Sequence, residues 1–570
     1  MRLALLVAAA TLAVFARAIG NDWVAWDDDS HFLRNPHYRG LGWPQIRWML
    51  TTAFAHWNPV AWLTLGLDYS LWGMNPAGYH FTSVLIHAAN AALAFLVARR
   101  LLTAARPTAP GRARDAAALA AALCWALHPL RVESVVWITE RRDVLSGFFA
   151  LATVLAYLAM VDARDAGRRR WWLISIALYA LGLLSKSMLV SLPIVLLILD
   201  AYPLRRAARL ILREKIPYAA MAAVILVVTT LTVRAGFSLT SLEAYPPQAR
   251  VAMALHSFAF YIAKTILPIA LSPLYELPAR VDPLAHPFLP SALAVAGITL
   301  LALQLRASWP AGLAAWLAYV VMILPVSGLV HVGPQLVADR FSYLPSLAGA
   351  LLLGGAVSLA WDRGRRWAAG VTVAVAAWIV VLAALTWEQT AVWRSTTTLW
   401  EHAIAAEPGC ARCHTELAIQ LASRGDLGGA IDHFREAVEL RPDRINGHGN
   451  LALALLRAGR SAEAIPHLER VLAASPTSAL TRARLGAALL QEKRLAEADR
   501  ELRRALRDEP DNAEALTGLG ALLIAQGRPA EAVPHLVRAV ERDPSAPLPR
   551  ALLAEVQRAA HQRTSPTSRR

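Results

Sequence analysis

The sequence predicts an all-α chain in two parts, a polytopic membrane bundle over 1–390 and a solenoid of paired helices over 391–560. Three observations predict it. Charged residues make up 17% of the 570 and mean hydropathy is +0.40, against about 25% charge in ordinary soluble domains. The apolar residues gather in long runs separated by short basic loops. After about residue 391 prolines recur every 34 residues, at Pro408, Pro442, Pro476, Pro510 and Pro544.

The formal net charge is +16, and its placement excludes a nucleic-acid partner. The loops 99–115, 162–170, 202–215 and 362–366 hold 17 Lys and Arg against Asp115, Asp162, Asp165, Glu214 and Asp362. Short basic loops between apolar runs are what the positive-inside rule gives for the cytoplasmic side. No basic stripe with interleaved aromatics remains.

Taken in order, residues 3–20 are apolar after Arg2. They fit a first transmembrane helix or a signal peptide ending at Ala16-Arg17-Ala18, and an uncleaved helix is expected. Either way, 21–78 lies outside the cytoplasm, and its Trp, Asp, Asn and Pro content suits the headgroup layer. Further apolar segments run at 79–101, 116–129, 143–161, 171–185, 187–201, 216–233, 251–271, 287–305, 309–326, 343–361 and 367–387. With the basic loops inside, the loops after 233 and before 343 both fall outside, yet three segments lie between them. One of the three cannot cross. Segment 251–271, with His256, Lys264 and Pro268, is expected to be re-entrant or interfacial. About eleven transmembrane helices result, with the C-terminus outside.

In the 34-residue frame Leu417, Leu451, Leu485 and Leu519 repeat, as do Ala418, Ala452, Gly486 and Gly520. Ala430, Ala464, Ala498 and Ala532 follow, then Phe434, Leu468, Leu502 and Leu536. Small residues where paired helices cross, large ones between them and a closing Pro make the tetratricopeptide pattern. It predicts four full repeats over 411–544, half a repeat before them with Trp400 and Ala403, a capping helix near 547–560 and a disordered tail at 561–570.

The residues suited to chemistry sit in the outer loops. Asp27, Asp28 and Asp29 are adjacent, and ionising one raises the pKa of its neighbour, which suits a general base. The plain alternative is a solvated turn or a helix start. Glu133, Trp137 and Glu140 fall at i, i+4 and i+7, on one face of an expected interfacial helix. Lys186, Lys264 and Arg340 are cations at or near the membrane, where charge is costly and marks function; Asp339 and Arg340 are alternatively a local ion pair. A phosphate would engage such cations, Arg bidentately. His80 and His87 share a helix face with Asn90 nearby, but no spacing of two His and a carboxylate makes a metal site, so polar interhelical bonding is expected and no metal. Cys410-Ala411-Arg412-Cys413-His414 has the c-type haem spacing. It opens the first full repeat, where its residues join helix packing, and a Cys410–Cys413 disulfide is expected before haem or free thiols.

These motifs in order resemble the transmembrane-and-tetratricopeptide-containing O-mannosyltransferases and their bacterial relatives. Trp26-Asp27-Asp28, Asn35-Pro36 and Trp57-Asn58-Pro59 with Asp68 look like the first outer loop of that family. His87 with Asn90, His128-Pro129 to Asp143, Lys186, Lys264 with Pro268 and Tyr275, and Ala338-Asp339-Arg340 with Tyr343 are similar to further blocks. The resemblance implies a GT-C glycosyltransferase fold. It implies transfer of a sugar, mannose first, from a polyprenyl-phosphate donor to a protein Ser or Thr hydroxyl, with inversion and no cofactor beyond the donor. Carried over, Asp27 or Asp28 is the base, and Lys186, Lys264 and Arg340 hold the phosphate. Asp29, His87, His128, Glu133, Glu140 and Asp339 support the site. Three acids stand where the family has two, and Arg142 stands where many relatives are expected to carry Lys. The repeats would hold an acceptor polypeptide. A bacterial inner membrane is expected, with the catalytic loop and the repeats on the periplasmic or extracellular side. The competing class is a non-catalytic membrane-anchored scaffold for an envelope complex. A transporter would need deep intramembrane charges and inverted repeats, and neither is visible.

Overall fold

The computed structural model describes residues 1–54, 57–206, 208–236, 242–330 and 333–564. Helices dominate. The sheet among these residues is one antiparallel ribbon, Tyr275–Glu276 against Gln335–Val337, which the sequence gives no reason to expect. The chain divides into units 1–408 and 409–570. The boundary falls beyond the composition change at 391 because the helix Thr396–Ala406 belongs to the first unit, burying Leu399, Trp400 and Ala403.

The expected count of about eleven crossings is matched only in part by helices of spanning length. Among the described residues, five helices are long and apolar enough to span: Arg2–Gly20, Pro76–Ala105, Ile138–Asp162, Ile211–Thr232 and Arg365–Val392. A sixth is the broken pair Gly111–Ala126 and Pro129–Val136, bent by 56° at the His128-Pro129 interruption. The apolar helices Ser187–Ala201, Phe288–Gln304, Pro310–Val326 and Leu347–Asp362 are 10–17 residues long, short of the ~20 that a bilayer core asks of one helix. Asp165–Ser185 has the length, but Arg168, Arg169 and Arg170 fill its first turns. The segment expected not to cross forms the helix Pro247–Ile266 and is not among the five.

The outer loop is itself folded. Asp29–Leu33 makes one π-helical turn, and Trp43–Thr51 and Pro59–Trp72 are α-helices opened by proline in their first turns. Proline suits those positions because its missing N–H has no helical partner there. Phe32, Tyr38, Met49, Trp62, Leu65 and Tyr79 bury one another beneath the loop. Asp68 closes it against the membrane helices: its carboxylate takes Arg141 Nη2 at 2.7 Å and the Thr82 hydroxyl at 2.8 Å. Arg141 also donates to Ser83 Oγ and to the Tyr79 carbonyl, both at 2.7 Å.

The expected helix through Glu133, Trp137 and Glu140 is broken. Val132–Val136 is a short α-helix, Trp137 is extended at ψ 114°, and Ile138–Glu140 is a 3₁₀ turn. The Thr139 amide, which a continuous helix would turn to Val135, donates instead to Asp28 Oδ1 at 3.2 Å. Glu133 and Glu140 are buried rather than facing water.

The second unit pairs Ala411–Ser423 with Leu427–Leu440, Ile445–Arg457 with Ser461–Ala474, Ala479–Gln491 with Leu495–Asp508, and Ala513–Ala525 with Pro529–Arg542. Pro547–Thr564 follows; the rest of the expected tail lies outside the described residues. The small-residue frame has a steric origin. A Cβ on Gly486 would meet Leu502 Cγ at 2.6 Å, and one on Gly520 would meet Leu536 Cδ2 at 2.6 Å.

The turn between paired helices passes through the left-handed region at Gly425, Gly459 and Gly527, with φ of 87°, 73° and 76°; in the third repeat Lys493 takes that place at φ 60°. A left-handed non-glycine residue costs about 1–2 kcal/mol, and glycine returns roughly 0.5–1 of that as unfolded-chain entropy. Lys493→Gly is expected to stabilise the third repeat by roughly 0.5–1 kcal/mol, read as a higher urea midpoint for pulse proteolysis within 479–508 of the full chain.

Candidate active site

The three aspartates have different surroundings. Asp28 is buried and fully engaged. Its Oδ1 accepts from the Thr139 hydroxyl at 2.7 Å and the Thr139 amide at 3.2 Å, and its Oδ2 accepts from the Val24 amide at 3.1 Å. Burial pushes its carboxyl up to about 7, against the pull of these hydrogen bonds, and the Asp27 charge adds to the rise. Asp29 pairs with Arg34 towards solvent. Asp27 is half-buried, and its carbonyl accepts from the His31 amide at 2.9 Å, from His31 Nδ1 at 3.0 Å and from the Ser30 hydroxyl at 3.0 Å. Burial pushes the His31 imidazole down to about 4, so it stays neutral and donates that ring hydrogen.

Thr139 links this loop to a cage of charges, because the next residue is Glu140. Three cations converge on the Glu140 carboxylate: Arg142 at 2.6 and 3.0 Å, Lys186 Nζ at 2.9 Å and Arg340 Nε at 3.3 Å. Lys186 also reaches Asp143 Oδ1 at 2.5 Å. Arg340 pairs with Glu133 Oε1, and its amide donates to Glu133 Oε2 at 2.8 Å. Glu133, Glu140 and Asp143 thus balance Arg142, Lys186 and Arg340. Burial alone would lower Arg340; Glu133 and Glu140 outweigh it and raise it, so the guanidinium is a permanent cation.

The structure brings Lys186 and Arg340 together but sets Lys264 apart. Lys264 Nζ donates to the carbonyls of Ile269 at 2.7 Å and Ala270 at 3.0 Å, and lies 5.7 Å from the Tyr275 ring centre. The Tyr275 hydroxyl donates to Asp339 Oδ1 at 3.0 Å, so Tyr275 and Asp339 stand between Lys264 and the cage. The ribbon holds Tyr275 opposite Val337 and so beside Asp339. Burial and the Glu133 charge push Asp339 well above the usual carboxylate range, while Tyr275 and Lys264 pull against them.

His87 and His128 are spent on packing. His87 Nε2 donates to the Ala126 carbonyl at 3.0 Å, and Nδ1 accepts from the Tyr343 hydroxyl at 2.7 Å, which also takes Asn90 Nδ2 at 2.8 Å. His128 Nε2 donates to the Thr265 carbonyl at 3.0 Å, and Nδ1 accepts from the Leu130 amide at 3.2 Å. Both tie helices together near the site. Cys410 and Cys413 are disulfide-bonded, and Cys410 Sγ also accepts from the Cys413 amide at 3.1 Å, capping the helix Ala411–Ser423.

Sequence reasoning missed Thr139 and the part played by Arg142, and it put Trp137 on a continuous helix face. Thr139 carries no motif signal. Arg142 was legible as a cation flanked by Glu140 and Asp143 but was noticed only as a departure from relatives. Trp137 anchors an aromatic cluster: its ring centre lies 6.4 Å from that of Trp26 and 5.7 Å from that of Trp393, and the Arg340 guanidinium sits 5.4 Å from it.

The raised Asp28 carboxyl has a sign that can be tested. A folded value of about 7 above the ordinary 3.8 means its contribution is whole below the ordinary value and is lost as pH rises through about 7. Amide exchange across residues 24–33, corrected for intrinsic rate, is expected to quicken between about pH 5 and about pH 8. In Asp28→Asn, which keeps an acceptor for Thr139 and loses the charge, that pH dependence disappears.

Residues 56–233 match the family model for dolichyl-phosphate-mannose-protein mannosyltransferases. Residues 398–445 and 455–523 match tetratricopeptide repeat models. The chain is similar to the human protein O-mannosyl-transferase TMTC4, 30% identical over 199 residues, 32% of this chain and 27% of that protein. It is also similar to the Drosophila melanogaster protein O-mannosyl-transferase Tmtc2, 32% identical over 157 residues, 26% of this chain and 16% of that one. The chain thus spans about a quarter or less of these curated relatives. Among solved structures, the tetratricopeptide protein YrrB, described as having an unusual peptide-binding site, is 17% identical, covers 31% of this chain and 90% of its own, and has a TM-score of 0.26. MamA from Desulfovibrio magneticus RS-1 is 22% identical, covers 27% and 86%, and has a TM-score of 0.25. The membrane part of the chain is therefore similar to protein O-mannosyltransferases, and its C-terminal part to tetratricopeptide repeats.

Proposed function

We propose that the chain is a membrane glycosyltransferase that moves a sugar, mannose first, from a polyprenyl-phosphate donor to a Ser or Thr hydroxyl of a polypeptide. The observation that carries this reading is the bond from Asp28 to Thr139, which holds an acidic loop one residue away from three converging cations. An inverting displacement needs those two parts together: a base for the incoming hydroxyl and positive charge for the departing phosphate.

In the proposed reaction the acceptor oxygen attacks the anomeric carbon as the bond from that carbon to the phosphate oxygen breaks. The hydroxyl proton passes to Asp27, and the phosphate leaves with the electron pair. Asp27 takes this role because it keeps partial access to solvent, whereas Asp28 is buried. Arg142, Lys186 and Arg340 receive the phosphate charge, and Glu140 holds the three in register. Lys264 lies apart and is assigned to the donor's approach. Side-chain cations supply the charge, and the donor is the one co-substrate.

A lipid-linked donor is supported by an apolar cavity of about 520 Å³ in the first unit, lined by Trp125, Ile262, Trp316, Leu353 and Leu382 among others, with His128 and Thr265 in its wall. Thr265 follows Lys264 directly. The orientation is the one in which basic loops are cytoplasmic, so the reaction runs on the opposite, extracytoplasmic face of a bacterial inner membrane. The repeats offer an acceptor polypeptide the concave surface that such arrays carry.

Purified protein given radiolabelled polyprenyl-phosphate-mannose and a mixed Ser/Thr peptide pool is expected to label peptide. Asp27→Asn should lower turnover by about 10²–10⁴-fold with the thermal midpoint unchanged. Arg142→Ala should raise the KM for donor, and its inorganic-phosphate sensitivity should fall with it. If wild type and Asp27→Asn are equally inert across a panel of lipid-linked sugars, the scaffold reading replaces this one.

A further inference from the structure

One further helix holds the acidic loop. Thr396–Ala406 lies in the first unit, although its Trp400 and Ala403 share the repeat pattern. The Thr396 hydroxyl accepts from the Ala25 amide at 2.9 Å. Trp400 is fully buried, with its ring centre 4.9 Å from that of Trp26 and the planes at 77°. Just before the helix, the Arg394 carbonyl accepts from the Asp22 amide at 3.0 Å, and Trp393 stacks on Trp137. Further along, His402 Nε2 donates to the Leu271 carbonyl at 2.9 Å. Leu271 directly follows Ile269 and Ala270, the residues whose carbonyls hold Lys264.

This short helix therefore touches both the two residues preceding Asp27 and the segment that holds Lys264. Trp26 sits in an aromatic box whose other walls are Trp137, on the cage side, and Trp400. Removing Trp400 opens one wall beside Trp26 and leaves the Ala25–Thr396, Asp22–Arg394 and Asp28–Thr139 bonds to hold the loop.

We propose that Thr396 and Trp400 are positioning residues that fix how far the Asp27–Asp29 loop reaches towards the charge cage, so that the helix leading into the repeats sets the geometry of transfer. This rests on the transferase reading above. A displacement of about 1 Å at a reacting group costs up to roughly a hundredfold in rate, which is the scale on which a wall of the box acts.

The test uses the full chain in lipid nanodiscs and two readouts. Thr396→Val keeps the shape and removes the acceptor for Ala25; Thr396→Ser restores it; Trp400→Ala removes the wall. The expected result for Trp400→Ala and Thr396→Val is amide exchange over 22–28 faster by about tenfold. With it, kcat falls by roughly tenfold to a hundredfold, KM for donor is unchanged, and Thr396→Ser behaves as wild type. Exchange that does not change overturns the proposal, and so does faster exchange with unaltered kcat in an active enzyme. Should Trp400→Ala fail to fold, the Thr396 pair decides alone. Should wild type transfer no sugar from any donor, the transferase reading falls, and with it any role in transfer. The exchange result then says only whether the helix holds the loop.

Discussion

The Asp28 carboxylate is the interaction on which the outer half of the first unit depends. It is buried and takes three hydrogen bonds, two of them from Thr139. Those bonds interrupt the chain between Val136 and Ile138, so Trp137 swings out to meet Trp26 and Trp393, and Glu140 turns inward to its three cations. Burying a carboxylate without donors would cost several kcal/mol. The donors offset that only while the loop stays closed, so the closed loop and the break in the helix at Trp137 go together.

The cage follows the same logic with larger stakes. Each carboxylate has a cation and each cation a carboxylate, and removing either partner of a buried pair costs about 3–5 kcal/mol. The neighbouring Asp68–Arg141 pair obeys the same rule at 2.7 Å and staples the outer loop to two membrane helices. Buried pairs of this kind are weak stabilisers against an apolar alternative. What they fix is which charges face one another, and that is the property the proposed phosphate site needs.

Much of the architecture was legible in the sequence because it is periodic. The 34-residue frame named the repeat helices, and the glycines at 486 and 520 proved to sit where Leu502 and Leu536 fill the helix crossing. The positions of the apolar runs were legible too, but their number as crossings was not. Prolines, glycines and arginines cut them below the length of one span, and sequence gives no measure of how short helices combine. At the site, residue types with intrinsic cost in a membrane stood out: the aspartates, Lys186 and Arg340. What stayed hidden was pairing. Thr139 looks like any β-branched residue in an apolar stretch, and nothing local says that Asp28 will reach for it or that Lys264 will turn to its own following carbonyls. His87 makes the interhelical hydrogen bonds its place on the helix led one to expect, and His128 likewise joins separate segments through both ring nitrogens.

The even match of acids and bases around Glu140 bears on which anions can reach the site at all. A cleft lined with uncompensated cations focuses field lines and draws dissolved anions in from a distance. A balanced one projects little beyond its own contacts. Free phosphate and nucleotides in the surrounding water are not drawn to it from a distance. An anion confined to the membrane surface by an attached hydrocarbon needs no such attraction, because its tether supplies an effective concentration of the millimolar order that short linkers give. In the proposed transfer a charge-neutral cage would therefore select its donor by the tether rather than by long-range attraction.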